Sequence, residues 1–374
     1  MSSRDRRPPQ PVPAGMAGAR GIEAVLSALE ASIAVEEVSG GIWQGPNVVL
    51  PGYRRLFGGQ LLAQAIAVAC TPGKVVRSLH LVFLAEGRPE LPIAWSVEPL
   101  HDGKTFATRS VAALQGERLL ATGLVSLHAP DAGGRLLDHS LTPPVVPAPS
   151  EVAAIAQLGA LAFETRPVLS PDPLRRRSPG EAGAGAAAGG AGGVGAAGAA
   201  AAGAAAGAAA AGPFWVTVED TFVPTEHPEP LPGEGRPPAA PVLDGLAVGP
   251  PELAVWMRSP RPPRHDAGEG GHQALLAYAS DLTMMVAAMR PHAGVGYGSD
   301  ALQASAVTTH TISFHRPVRV DEWLLFAQES PAAAGGRAYI RGDFFDERGA
   351  VVASCAQEIL IRVRGDEPAG GEGR

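Results

Sequence analysis

The chain has 374 residues, enough for two domains or one large one. Its formal net charge of −7 leaves no broad electrostatic footprint for nucleic acid, and its arginines cluster only in the proline-rich stretches "RDRRPP" and Arg175–Arg177. Two cysteines, Cys70 and Cys355, have no metal-ligand spacing and suit a reducing compartment, which argues against a disulfide scaffold.

Residues 1–21 carry positive charge without an apolar core, so they read as a disordered tail and not as a secretory signal. A first folded block spans residues 22–130. In it "FGGQLLAQAIAVA" is an apolar helix, and "RSLHLVFL", "PIAWSVEPLHDG", "TFATRSVAAL" and "RLLATGLVSLHA" are strands, with a turn at "HDG". Residues 131–212 read as a linker, and within it residues 182–212 are alanine and glycine apart from Val194. That run has the length of a membrane span. It lacks leucine, isoleucine and phenylalanine, however, and its glycines weaken any helix, so it reads as a flexible insert.

The second block, residues 213–363, repeats the order of the first. Its helix is "YASDLTMMVAAM", and its strands are "AVTTHTISFHRPV", "EWLLFAQES", "GRAYIRGDFF" and "AVVASCAQEILIRV". Residues 364–374 form a second disordered tail. Short sequential strands around one apolar helix, occurring twice, predict an α+β layered fold built by duplication. Aligning Phe57 with Tyr278 sets Gly58, Gly59 and Gln60 on Ala279, Ser280 and Asp281, and aligning Phe83 with Phe314 keeps the strands in phase.

Asp281 stands out, because Leu275, Leu276, Leu282, Met285 and Met289 recur around it at helical spacing. A carboxylate in such a face needs a partner or a task, and a helix-capping role is the bland alternative. Gln357 is comparable: its counterpart in the first block is Val125, so the face it occupies is apolar there and buried.

These residues resemble the acyl-CoA thioesterase II family, which has a double hotdog fold. The resemblance rests on "FGGQLLAQA", "LHLVFL", "HDGKTFATRSVAAL", "ELAVWMRS", "LAYASDLTMM", "FHRPVRVDEWLLF" and "GRAYIRGDFFDERGAVVASCAQE", in family order across both blocks. It implies two tandem hotdog domains, an acyl-CoA substrate, association into a homo-oligomer, and a cytoplasmic place in fatty acid metabolism. It also implies that Asp281 and Gln357 hold the hydrolytic water. The family's hydroxyl residue does not carry over, because its [Ser/Thr]-x-Asp-His segment falls on Val307, Thr308, Thr309 and His310. In a regular strand Thr309 shares a face with Val307, so Thr309 is the candidate replacement.

Direct attack by water suits these residues, since no G-x-S-x-G elbow supplies a serine nucleophile. Cys70 and Cys355 lie in apolar runs, where a thiol is expected to be buried and inert. His310 and His315 fall on opposite strand faces and offer no metal pair, and "FGGQ" lacks the lysine of a phosphate loop. Gln60 stays open as a group facing the site. No cofactor, metal, nucleic acid or membrane is called for. The alternatives are a non-catalytic acyl-CoA-binding hotdog protein, which Val307 favours, and a hotdog hydratase, whose usual aspartate–histidine pair on one helix is missing. Deleting residues 182–212 is expected to leave thermal stability and thiol release unchanged. A collapse of either would mean that the insert packs.

Overall fold

The structure, a computed structural model, describes residues 19–50, 55–130, 137–153, 162–168, 172–175, 248–264, 268–296 and 301–364. The alanine–glycine run of residues 182–212 lies outside the described residues, as do residues 1–18 and 365–374 of the two expected tails.

In the first half, α1 (Ala19–Ile33) and the hairpin β1 (Glu36–Ser39) and β2 (Ile42–Gly45) precede α2 (Gly58–Ala69). Four strands follow: β3 (Val75–Phe83), β4 (Ile93–Asp102), β5 (Phe106–Gln115) and β6 (Arg118–His128). Then come β7 (Glu164–Val168), β8 (Glu252–Arg258), α3 (Gly268–Ser280) and α4 (Met284–Met289). The last four strands are β9 (Leu302–Phe314), β10 (Leu324–Ala334), β11 (Arg337–Phe345) and β12 (Val351–Val363). The alternating apolar runs of the sequence become β3–β6 and β9–β12. Strand β5 buries every second side chain from Ala107 onward, and β12 does so over its middle residues, whereas β10 opens with five consecutive buried residues. Among the described residues, no helix is long and apolar enough to cross a membrane.

Among the described residues, all the strands join one sheet of 12, in the order β1-β2-β4-β5-β6-β3-β9-β12-β11-β10-β8-β7. The halves meet where β3 runs antiparallel to β9, with Leu79 opposite Ile312 and Leu81 opposite His310. Thr311 follows His80 by 231 residues, and the same offset takes Leu79 to His310 and Leu81 to Ile312. The two pairs therefore exchange under a local two-fold axis through the His80–Thr311 pair, whose side chains approach to 2.7 Å. Pairing at this seam leaves each half-sheet without a free edge at the centre of the molecule.

Three features depart from the sequence reading. The second helix is interrupted, because i→i+3 bonds from Asp281 and Leu282 to Tyr278 and Ala279 close α3, and Thr283 starts α4. Apolar periodicity runs straight through that break, since Leu282, Met285 and Met289 are all buried, so spacing alone did not reveal it. Secondly, part of the expected linker is folded. Residues 137–153 cross the outer face of the second half, where Val351 N–H donates to Ser140 Oγ and Trp256 Nε1–H to the Pro147 carbonyl. Strand β7 pairs with β8 at the sheet edge. Thirdly, the tail reading gives way at Ala19, where α1 begins. Arg261 anchors that helix through two 2.7 Å bonds to the Glu30 carboxylate.

The helices of the two halves pack side by side and antiparallel, with the start of α3 at Gly270 against Cys70 at the end of α2. The start of α2 meets the end of α3, and the Phe57 and Tyr278 rings meet edge to face at 5.1 Å. Glycine permits the approach: a Cβ on Gly59 would lie 2.6 Å from the Tyr278 carbonyl oxygen. Because backbone cannot swing aside as a long side chain can, Gly59→Ala is expected to cost about 1–3 kcal/mol in urea unfolding. An unchanged midpoint would show that the contact is looser than this.

Candidate active site

Asp281 sits in the break between α3 and α4, 8% exposed. Gln357 on β12 donates to its Oδ1 from Nε2 at 2.5 Å. A second donor, the Gly59 backbone N–H, reaches the same carboxyl from the first turn of α2. On the Oδ2 side a Cβ at Gly58 would come within 2.7 Å, so the second glycine of the pair makes room for the carboxylate. The positive end of the α2 dipole therefore faces a carboxyl supplied by the other half of the chain.

The network continues inward. The Gln357 Nε2 group also lies 3.2 Å from His310 Nδ1, and His310 Nε2 lies 2.9 Å from Ser280 Oγ. Ser280 donates its hydroxyl proton to the Ala277 carbonyl at 2.8 Å. Its oxygen must then accept from His310, which fixes the proton of the neutral imidazole on Nε2 and leaves Nδ1 as an acceptor. Both hydrogens of the Gln357 amide are thereby assigned, one to Asp281 and one to His310. His310 and Gln357 are cross-strand partners, which is why they share the inward face.

Burial pushes the Asp281 carboxyl up to about 7, against the opposing pull of the Gln357 and Gly59 donors. Burial pushes His310 down to about 3, with His80 adding to the effect. The Cys355 thiol is raised, first by burial and then by Asp343 and Asp281. Within this cluster, Asp281 is the group that changes charge near neutral pH, as a general base requires.

Asp281 and Gln357, both named from the sequence, are thus in contact. Thr309 is not with them. A bulge in β9 pairs Thr309 with Glu358 but Val307 with Ile359, so the expected two-residue alternation between Val307 and Thr309 is broken. Thr309 lies opposite Val82 and Glu358 and alternates with inward-facing His310, which turns it to the outer face. Val307 opposes fully buried Ile359 and packs against the core. The extra residue, Thr308, donates its hydroxyl to the Glu358 carbonyl at 3.0 Å.

Gln60 is also committed elsewhere: it accepts from Val48 N–H and donates to Asn47. Cys70, expected to be buried, is exposed, while Cys355 is buried. Sequence reasoning passed over His310 as anything but half of a metal pair, and it passed over Ser280. The signal that would have found His310 is strand register, which sets it opposite Gln357. Ser280 is no nucleophile in this arrangement, since it is fully buried and gives its proton to a carbonyl.

Residues 50–128 match the sequence model of the acyl-CoA thioesterase N-terminal domain, and residues 199–361 match that of the acyl-CoA thioesterase C-terminal domain. "Acyl-CoA thioesterase 2" of Haemophilus influenzae is 27% identical over 341 residues, spanning 90% of this chain and 98% of that protein. Human "Acyl-coenzyme A thioesterase 8" is 26% identical over 336 residues, 88% of this chain and 87% of its own. Among solved structures, an acyl-CoA thioesterase II, TesB2, from Mycobacterium marinum superposes with a TM-score of 0.60 at 26% identity, covering 90% of this chain and 99% of the other. A protein with a hot dog fold from Alicyclobacillus acidocaldarius gives 0.57 at 13% identity, with 90% and 99% covered, and shares the fold alone. The 12-stranded sheet with its two central helix systems is a double hotdog, as the family resemblance implied.

A carboxyl whose folded value is raised to about 7 holds its proton longer in the folded than in the unfolded chain. Its contribution to stability is complete below the ordinary carboxylate value and is lost as pH rises through about 7. Asp281→Asn removes that loss. Its melting temperature relative to the wild-type protein is therefore expected to climb between about pH 4 and about pH 7 and to level off above that. A constant difference across that range would mean that Asp281 is ionised throughout.

Proposed function

The chain belongs to the acyl-CoA thioesterase family, and from that premise we propose that it hydrolyses acyl-CoA thioesters to free acid and CoA with Asp281 as the base. The observation that carries the assignment is the 2.5 Å contact between Gln357 and the buried Asp281 carboxyl. Water bound beside them gives a proton to Asp281 as its oxygen attacks the thioester carbon. The tetrahedral intermediate collapses with cleavage of the carbon–sulfur bond, and the proton held on Asp281 passes to the leaving sulfur. A base that titrates near 7 suits both transfers, because it can accept from water and give to a thiolate at one pH. The dipole at the start of α2 favours negative charge on the thioester oxygen in the same place.

A hydratase reading loses its histidine, since His292 lies beyond the end of α4. Binding without catalysis is the reading that Val307 supports, because the family's hydroxyl position is a valine packed against the core. We place the reaction in cytoplasmic fatty acid metabolism and in a homo-oligomer. Self-association is supported by the outer face of the first half, where Phe106 is 57% and Leu124 50% exposed.

Thiol release should be assayed on short, medium, long and branched acyl-CoAs. Asp281→Asn is expected to lower kcat by roughly two to four orders of magnitude, and Gln357→Ala by less. In the wild-type enzyme kcat/KM should rise with pH through about 7 and then level off. Val307→Thr should raise turnover by restoring the hydroxyl. Asp281→Asn turning over every substrate at the wild-type rate would overturn the assignment.

A further inference from the structure

We propose that His310 is a positioning residue that holds the Gln357 carboxamide with its nitrogen toward Asp281 and its oxygen toward the hydrolytic water. This rests on the thioesterase reading above and adds a residue to it. A carboxamide is nearly symmetric in shape, so its neighbours decide which end points where. Asp281 alone does not decide it. As a carboxylate it selects the N–H end, but as a carboxylic acid it can equally donate to the oxygen. The proposed cycle protonates Asp281 at every turnover, so an amide governed only by Asp281 is free to flip at the moment when the water must stay in line.

His310 removes that freedom through a chain of bonds whose direction is set at its far end. The Ala277 carbonyl can only accept, so the Ser280 hydroxyl donates to it. The Ser280 oxygen then accepts from His310 Nε2–H at 2.9 Å, and Nδ1 is left with a lone pair facing Gln357 Nε2 at 3.2 Å. Turning the amide would set its oxygen against that lone pair, a repulsive arrangement whatever the state of Asp281. Burial keeps the imidazole neutral, so the lone pair persists across the working pH range.

The duplicated fold supplies an internal control. At the equivalent positions of the first half, Leu79 faces Val125 across the same strand pair that His310 and Gln357 occupy in the second. Both are fully buried, and the half-sheet around them is complete. An apolar pair thus builds this place in the fold, and a buried histidine–glutamine pair carries a desolvation cost that folding does not demand.

The test uses two amide replacements in the full chain. In His310→Asn a heteroatom stays near the Nδ1 position and can face Gln357, whereas His310→Gln keeps one only near the Nε2 position and Ser280. The expected result is that His310→Asn stays within about tenfold of wild type, while His310→Gln loses kcat by about a hundredfold with little change in KM. In His310→Gln the acid limb of the pH profile should also move upward, because Asp281 loses the donor that favours its charged form. His310→Leu copies the residue of the first half, should fold, and should behave like His310→Gln. A measurement that needs no variant is the imidazole nitrogen spectrum of the wild-type protein, where His310 should be the neutral Nε2–H tautomer. The opposite tautomer, or wild-type kcat and acid limb in both His310→Gln and His310→Leu, would overturn the proposal while leaving the thioesterase reading standing. Wild-type protein that releases no thiol from any acyl-CoA would overturn both.

Discussion

The meeting of two helix ends governs the rest of the molecule. Helix α3 closes at Ser280, and α2 opens at Gly58, Gly59; the two glycines let Tyr278 and Asp281 come closer than any Cβ would allow. The contact is electrostatically matched, since the negative end of one helix dipole and a carboxyl face the positive end of another. It also coincides with the break in the second helix. With α3 ending at Ser280, Asp281 lies in the break, where its carboxyl accepts from Gln357 and from the Gly59 N–H. The active-site candidate is thus a property of the pair of halves: one supplies the acid, and the other supplies the backbone that receives it.

Duplication explains why the site occurs once. Gln60 occupies in the first half the position that Asp281 occupies in the second, yet it pins the segment around Asn47 and Val48 onto α2. Gln64 extends the same pinning to the Ser32 and Pro46 carbonyls and receives the Trp95 indole N–H. Those bonds turn one end of the pseudo-symmetric pair into structure. Leu79 and Val125 complete it with apolar packing, which leaves the polar chemistry to His310 and Gln357. Among the described residues, 137–153 lie over the outer sheet face of the second half, with Val146 in a small apolar cluster with Leu325 and Phe345.

Much of this was legible in the sequence, for reasons that differ from residue to residue. Strands β3–β6 and β9–β12 announce themselves by alternation, and α2 by an apolar run opened by glycines. Asp281 and Gln357 were legible because each puts a polar group where the other half has none of comparable charge or has a valine. Thr309 failed because period-2 counting assumes a regular strand, and the bulge at Thr308 adds one residue to the count. The helix break failed because buried spacing is the same on both sides of it. His310 failed because its partner lies on another strand, and register is a tertiary fact that no local window contains. Strand β7 is short and was missed, β8 was legible only through the family segment "ELAVWMRS", and α1 was passed over despite its amphipathic pattern; Arg261 anchors it through Glu23 and Glu30.

Water activation at the helix junction depends on one quantity, the proton affinity of the Asp281 carboxyl. Difference infrared spectroscopy of the wild-type protein against Asp281→Asn, titrated across neutral pH, reads it without reference to turnover. The predicted result is a protonated carboxyl band that disappears with a midpoint near 7 as the carboxylate band grows. A band already lost in the ordinary carboxylate range would contradict it, because Asp281 would then be a solvated or fully paired carboxylate and not a base poised for water.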